Sequence, residues 1–192
     1  MDNRQIIKDI AADSARVKKG FFSDERNIDA VSSAAKTLIE CSRRGAKIIV
    51  FGNGGSAADS QHFAAELMIR FEKERKGIAA IALTTDSSIL TAAANDYSFE
   101  DIFSRQIDSI ANAPDVVVAI STSGSSKNVL KAVKNAKKKG LQVIALTGST
   151  GGELVKESDI SILVNEKSTA RVQEVHIVIL HILSKLIEDS VV

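Results

Sequence analysis

The chain has 192 residues, 44% of them hydrophobic and 26% charged, which suits one domain with a sizeable core rather than two small ones. Its 25 Lys and Arg stand against 24 Asp and Glu, and Trp is absent, so neither a basic field nor an aromatic platform points to nucleic acid. Cys41 is the single cysteine, no apolar run is long enough to span a bilayer, and Met1-Asp2-Asn3-Arg4 does not open a signal peptide. These features predict a cytoplasmic, membrane-free protein without an internal disulfide.

Residues 2–45 predict two helices. Ile6, Ile7, Ile10, Ala11 and Val17 form a helical stripe up to an expected break at Lys19-Gly20. A second helix should begin near Asp24, which can cap it, and carry Ile28, Val31, Ala35, Leu38 and Ile39 to Gly45. Two helices ahead of the first strand are more cover than one small sheet needs. Packing within the chain is the default, and packing against another subunit is the alternative.

The stretch Lys47–Leu67, KIIVFGNGGSAADSQHFAAEL, reads strand, glycine loop, helix. Ile48–Phe51 is a β-branched, apolar run fit for a buried strand. Gly52-Asn53-Gly54-Gly55 interrupts it, and Ser56 can cap the helix former run from Ala57 onward. Glycines at such a junction serve either a tight turn or a close approach to an anionic ligand, with the first helical N–H groups pointing at it. On the helix itself, His62 and Glu66 are four residues apart and share a face, and Arg70 continues the stripe. The pair is either an ordinary exposed contact or a metal-binding or acid/base pair.

Further along, Ile78–Leu83 predicts a second buried strand, and Thr84-Thr85-Asp86-Ser87 caps a short helix leading to Asn95-Asp96. Phe99–Ala111 reads as a helix, ended by Pro114 ahead of the strand Val116–Ile120. That strand enters Ser121-Thr122-Ser123-Gly124-Ser125-Ser126, followed by a helix over Lys127–Lys139. Hydroxyls at a helix start make a phosphate cradle that needs no metal. The Lys-rich stretch Lys131–Lys139 reads as a solvated helix face. Leu141–Leu146 and Ile160–Val164 are the fourth and fifth strands, separated by the polar loop Thr147–Gly152. Alternating strands and helices predict an α/β fold with a five-stranded, mainly parallel sheet covered on both faces, a three-layer αβα sandwich. Ligands of such sheets bind beyond the carboxyl ends of the strands, where both polar loops fall.

The last helix is expected over Thr169–Asp189. Ile177, Leu180, Leu183 and Ile187 give it an apolar face, and Gln173 and His181, eight apart, share a side. His176 lies off that line and reads as structural.

Gly-Asn-Gly-Gly-Ser at 52–56 with His62 and Glu66, Asn95-Asp96, Ser-Thr-Ser-Gly at 121–124, and Ala-Arg-Val-Gln-Glu-x-His at 170–176 followed by His181 resemble the phosphoheptose isomerases. These are sugar isomerase (SIS) domain enzymes of flavodoxin-like fold, and the resemblance covers nearly the whole chain in the family's order. It implies a single SIS domain over 1–192, with N-terminal helices 1–45 used in assembly and an αβα core with the active-site helix over 46–192. It implies conversion of sedoheptulose 7-phosphate to glycero-manno-heptose 7-phosphate through a cis-enediol, the first step towards ADP- or GDP-heptose and lipopolysaccharide. Ser121, Thr122, Ser123 and Ser126 would hold the phosphate, Asn53, Gly54 and Gly55 would lie near the sugar chain, and Asn95 and Asp96 would meet its hydroxyls. The resemblance also implies one zinc per active site, on His62, Glu66, Gln173 and His181, although glutamine is an unusual zinc ligand and Gln173 is equally placed as a substrate contact. Glu66 would move the proton between C1 and C2, and His181 would serve the oxygens. A homotetramer with active sites at subunit contacts is implied as well.

Two other readings belong to the same superfamily. A non-catalytic SIS-domain protein that regulates replication initiation is similar in Phe71–Arg75 and in Ala82–Asp86, but lacks the acid and the histidine that match Glu66 and His181. SIS enzymes acting on amino-sugar phosphates lack the paired His62/Glu66 and Gln173/His181 arrangement.

Overall fold

The computed structural model of the chain describes residues 2–191; Met1 and Val192, the ends of the expected unit, lie outside it. Helices α1 (Asn3–Phe22) and α2 (Glu25–Arg43) precede strand β1 (Ile48–Gly52), and α3 (Gly55–Met68) follows it. Then come β2 (Ala80–Ala82), α4 (Ser87–Asp96), a 3-10 turn (Phe99–Asp101) and α5 (Ser104–Ile110). The chain ends with β3 (Val116–Ser121), α6 (Lys127–Lys138), β4 (Gln142–Gly148), α7 (Leu154–Glu157), β5 (Ile160–Val164) and α8 (Thr169–Val191).

The five strands form one sheet in the order β2-β1-β3-β4-β5, every pair parallel. The chain leaves the centre in one direction through β2 and returns to build outward through β3, so the switch point lies between β1 and β3. Strand alternation sorts the apolar residues onto two faces. Ile48, Val50, Val116, Val118 and Ile120 join the core made with α1, α2, α3 and α8, while Ile49, Phe51, Val117 and Ala119 join the one made with α4, α5 and α6. The three-layer reading is thus observed, with the sheet wholly parallel.

Asp24 caps α2 by accepting from the Arg26 N–H at 3.0 Å, and Asp86 caps α4 by accepting from the Ile89 N–H at 2.9 Å, as expected. Other boundaries differ. Helix α1 runs through Gly20 to Phe22, because Phe21 is buried in the core and its burial outweighs the weak helix propensity of one glycine. Ser56 lies inside α3 rather than capping it; the capping position is Gly54, at φ +56°, with no side-chain hydrogen bond. The strand expected over 78–83 is reduced to the edge strand β2, whose Ile81 is exposed. The helix expected over 99–111 is divided where Ser98 Oγ donates to Asp101 at 2.6 Å and closes a tight turn. The short α7 has no counterpart in the sequence reading.

Helix α1 answers the question of surplus cover in two halves. Val17 and Phe21 are buried against the rest of the chain, whereas Ile6, Ile7 and Ile10 are exposed.

Candidate active site

Two glycine- or serine-bearing junctions meet at the carboxyl edge of β1 and β3, which are neighbours in the sheet. Neither α3 nor α6 has a capping side chain at its N-cap position. Ser56 and Ala57 donate to the Asn53 and Gly54 carbonyls, each at 3.0 Å, and Val129 donates to Asn128 Oδ1 at 2.9 Å. The N–H groups of Gly55, Lys127 and Asn128 are therefore the ones left for another acceptor among the described residues. Ser126 turns away from its own helix; its Oγ lies 3.0 Å from Ser121 Oγ, and Ser123 Oγ lies 3.5 Å from the same atom. Ser123 Oγ also accepts from the Ser125 N–H at 3.2 Å. Three hydroxyls therefore converge ahead of a helix start, the arrangement an oxyanion requires. Thr122 is tied in by its carbonyl, which accepts from the Gly148 N–H at 3.1 Å. Thr122 and Ser123 line a cavity of about 280 Å³ together with Ser149, Thr150 and Lys167.

Asn53 and Asn128 exchange two amide hydrogen bonds, each 2.9 Å long, locking the glycine loop to α6. Asn128 is buried and was not singled out in the sequence; an asparagine in the first turn of a helix, where its side chain competes for backbone partners, is the signal that marks it. Gly54 is exposed in the loop. A Cβ on Gly55 would lie 2.5 Å from Gln173 Nε2, so the bare backbone at 55 is what admits the Gln173 amide.

Lower on α3, His62 Nε2 lies 3.3 Å from Glu66 Oε1 and 2.9 Å from Nε2 of His181 on α8. The two imidazole rings meet edge-on at 5.1 Å. Asp59, one turn before His62, has a buried Oδ2 without a hydrogen-bond partner, and burial raises its carboxyl to about 6 against the lowering effect of His62. Its i, i+3 spacing from His62 is the sequence signal that was passed over.

The expected residues thus fall into three groups. Ser121, Ser123, Ser126 and the Asn53–Gly55 loop gather at the sheet edge, and His62, Glu66 and His181 gather beside them on α3 and α8. Gln173 packs on Gly55, with its backbone about 12 Å along α8 from that of His181 by helical rise. Asn95 donates to Asp96 Oδ1 at 2.9 Å; both are exposed at the end of α4, without a hydrogen bond to either group among the described residues. Asp96 borders a separate cavity of about 360 Å³ that is lined mainly by apolar side chains such as Ile81, Ile89 and Ile110.

The SIS domain family matches residues 13–148 of this chain. A phosphoheptose isomerase from Thermodesulfovibrio yellowstonii is 44% identical over 98% of the chain and 93% of its own length. Among solved structures, the phosphoheptose isomerase of Neisseria gonorrhoeae superposes with a TM-score of 0.90 at 40% identity, covering 97% of this chain and 98% of that one. The one from Francisella tularensis gives a TM-score of 0.94 at 36% identity, over 98% and 100%. The chain belongs to the phosphoheptose isomerase family of SIS-domain proteins. Within that family fold, α3 and α8 supply the histidine–glutamate group, and the end of β3 with the loop before α6 supplies the hydroxyls.

The donor set also bears on a metal. Among the described residues, no three His, Cys, Asp or Glu side chains are already spread around an ion-sized centre. Zinc–nitrogen bonds of about 2.0–2.1 Å at a tetrahedral angle would place two histidine nitrogens about 3.3 Å apart. The His62 and His181 nitrogens, at 2.9 Å, are closer than that by a few tenths of an ångström. Two imidazoles and a carboxylate make a catalytic zinc donor set, and a slight parting of the rings would fit the ion.

Proposed function

We propose that this chain is an aldose–ketose isomerase that interconverts sedoheptulose 7-phosphate and D-glycero-D-manno-heptose 7-phosphate through an enediol. The observation that carries the reading is the joint contact of His62, Glu66 and His181 beside a hydroxyl-lined loop at the carboxyl edge of the sheet. Ser121, Ser123 and Ser126, with the α6 N-terminus, bind the phosphate and fix one end of the substrate. The Asn53–Gly55 loop and Gln173 line its middle. Glu66, a carboxylate at the head of the chain so anchored, takes the proton from one carbon and returns it to the next. His181 exchanges protons with the two substrate oxygens, so that the enediol forms without a free charge on either.

His62, Glu66 and His181 would hold one zinc ion, leaving a coordination position open; when bound, it would supply positive charge next to the oxygens of the enediol. Gln173, lying on Gly55, is assigned to substrate rather than metal. The family resemblance further implies a homotetramer with sites at subunit contacts. Exposed Ile6, Ile7 and Ile10 on α1 support it, as does the Asn95–Asp96 pair, which makes no hydrogen bond to the site among the described residues. The alternative of a non-catalytic replication regulator finds no support in the relatives described above, each of which carries the phosphoheptose isomerase name.

Proton NMR of the protein with sedoheptulose 7-phosphate in deuterated buffer, at measured zinc content, tests the reading. An aldose signal with deuterium at C2 is expected, together with about one zinc per site. Glu66→Gln should still bind the sugar phosphate and lose turnover by about a thousandfold or more. Absence of product and of exchange in the parent protein would remove the isomerase assignment, and unchanged turnover in Glu66→Gln would remove Glu66 from the proton transfer.

A further inference from the structure

Residues 69–79, between α3 and β2, form neither helix nor strand, yet they are held. Ile78 donates to the Leu67 carbonyl at 3.0 Å, Lys73 pairs with Asp189 and Glu72 with Lys185 on α8, and among the described residues the one fully buried anchor is Glu188. Glu188, fully buried on α8, accepts the backbone N–H groups of Phe71, Glu72 and Lys73, each at 2.9 Å. Arg75 adds its Nε–H to the same carboxylate at 3.1 Å. Burial by itself would raise the Glu188 carboxyl; the three N–H groups and the Arg75 charge outweigh it and leave the group below its usual range.

Arg75 does more than neutralise Glu188. Its side chain is 3% exposed, and its remaining arms donate to the carbonyl oxygens of Glu66 at 2.7 Å and Leu67 at 2.8 Å. Those carbonyls belong to the last turn of α3, where the helix has no internal partners to offer them. One guanidinium therefore closes the end of the helix that carries His62 and Glu66, and binds it to the helix that carries His181. Glu188 lies seven residues, about two turns, beyond His181 on the same side of α8. The segment so held places the Phe71 ring 5.8 Å from the His181 imidazole, with 32° between the planes. His181 therefore meets Phe71 as well as His62.

We infer that Arg75 and Glu188 are positioning residues for the isomerase site: their buried ion pair clamps residues 71–75 so that Phe71 seats the His181 imidazole against His62, the partner of Glu66. A buried ion pair is a poor source of net stability, and its better-attested use is to specify one arrangement among several. Here the arrangement specified is the relation of α3 to α8. The geometry of the clamp is independent of the reaction; only its consequence for turnover rests on the isomerase reading.

The test uses two variants, Arg75→Lys and Phe71→Leu. Lysine keeps the charge but has no planar fork to reach Glu188 and two carbonyls together. Phe71→Leu leaves every clamp hydrogen bond in place and removes only the ring, so it keeps the parent's melting temperature to within a few degrees. The chain has three histidines, so the Cε1–H resonance of His181 in protein labelled at histidine can be assigned with His62→Gln and His176→Gln. The result expected is a shifted His181 resonance in both variants, with kcat lower by about tenfold or more and KM within about threefold. An unmoved His181 resonance, or a kcat within about twofold of the parent in the folded variants, would overturn the inference. Should Arg75→Lys fail to fold, Phe71→Leu decides by the same two readouts. A parent protein inactive on the heptose phosphate would count against the isomerase reading alone, and the resonance would still judge the clamp.

Discussion

His176 is fully buried under β4, its Nε2–H donating to the Thr147 carbonyl at 3.2 Å while Nδ1 has no partner among the described residues. Burial pushes its pKa down from 6.5 to about 4, against a small opposing effect of the Thr147 carbonyl. Above pH 6.5 the imidazole is neutral both folded and unfolded, and its contribution to stability is complete. As the pH falls from 6.5 towards 4, the unfolded chain takes up a proton that the folded one refuses, and about 3 kcal/mol is lost by pH 4. Asp59 acts in the opposite sense: its folded pKa is raised to about 6, so its contribution is present below the usual carboxylate pKa and lost as the pH rises through 6. The total slope therefore mixes the two, and a difference measurement separates them. Urea unfolding of the parent and of His176→Gln should show the parent's advantage over the variant shrinking by about 3 kcal/mol between pH 7 and pH 4. A difference that stays constant with pH would mean that the imidazole is not held neutral by burial. Sequence pattern had already set His176 apart from Gln173 and His181, because it lies off their side of the helix; that it is buried with one nitrogen unpaired depends on Thr147, 29 residues away in sequence.

At the scale of elements, β1, α2, β3, α6, β5 and α8 were legible because local signals agreed with burial: β-branched runs for strands, acidic caps and 3.6-residue stripes for helices. The misplaced boundaries have two kinds of cause. Gly20 and the shortened β2 were decided by tertiary contacts that a local pattern does not carry, the seat of Phe21 and the edge position of β2. Ser56 and the divided helix over 99–111 were decided by local backbone geometry, the positive φ at Gly54 and the Ser98–Asp101 turn. The loops after β3 and β4 show how tight tertiary contacts are. Gly124 has φ +65°, and a Cβ there would lie 1.9 Å from the Gly151 carbonyl oxygen. The Gly124 carbonyl in turn accepts from the Leu154 N–H at 2.9 Å, so the two loops are joined back to back. Gly54 also has a positive φ, +56°, but open space around it. Gly54→Ala should cost only backbone strain, about 1–3 kcal/mol, whereas Gly124→Ala must in addition push two backbones apart. Its melting temperature is expected to fall further, by roughly 4–8 °C or more for each 2 kcal/mol lost, and phosphate-ester binding should weaken with it. Equal drops for the two variants in a thermal melt would show that the contact between the loops carries no weight.

At the scale of the whole molecule, the site was legible where its chemistry repeats within one element and illegible where it depends on how separate elements lie together. His62 and Glu66 follow from i, i+4 spacing, and the hydroxyl loop from its composition. Gln173 was placed on the correct side of α8, but its contact with Gly55 rests on how α3 and α8 lie together. Asn95 and Asp96 make no hydrogen bond to the site among the described residues. The N-terminal half of α1 is in the same position: Ile7 is 66% and Ile10 52% exposed on a helix whose later turns are buried. Three isoleucines at steps of one and three residues form a contiguous apolar stripe, which in water costs free energy in proportion to its area. In a homotetramer that stripe is the natural contact, and light scattering should give a mass of about four times the 20.5 kDa chain. The double substitution Ile7→Glu and Ile10→Glu puts charge on the stripe without touching the core residues Val17 and Phe21. It is expected to lower the mass, leave the far-ultraviolet circular dichroism unchanged, and reduce turnover in step with dissociation, because Asn95 and Asp96 would then have no neighbouring site to complete. An unchanged mass in the double variant would move the assembly contact away from α1. A reduced mass with full activity would instead place the whole site within one chain.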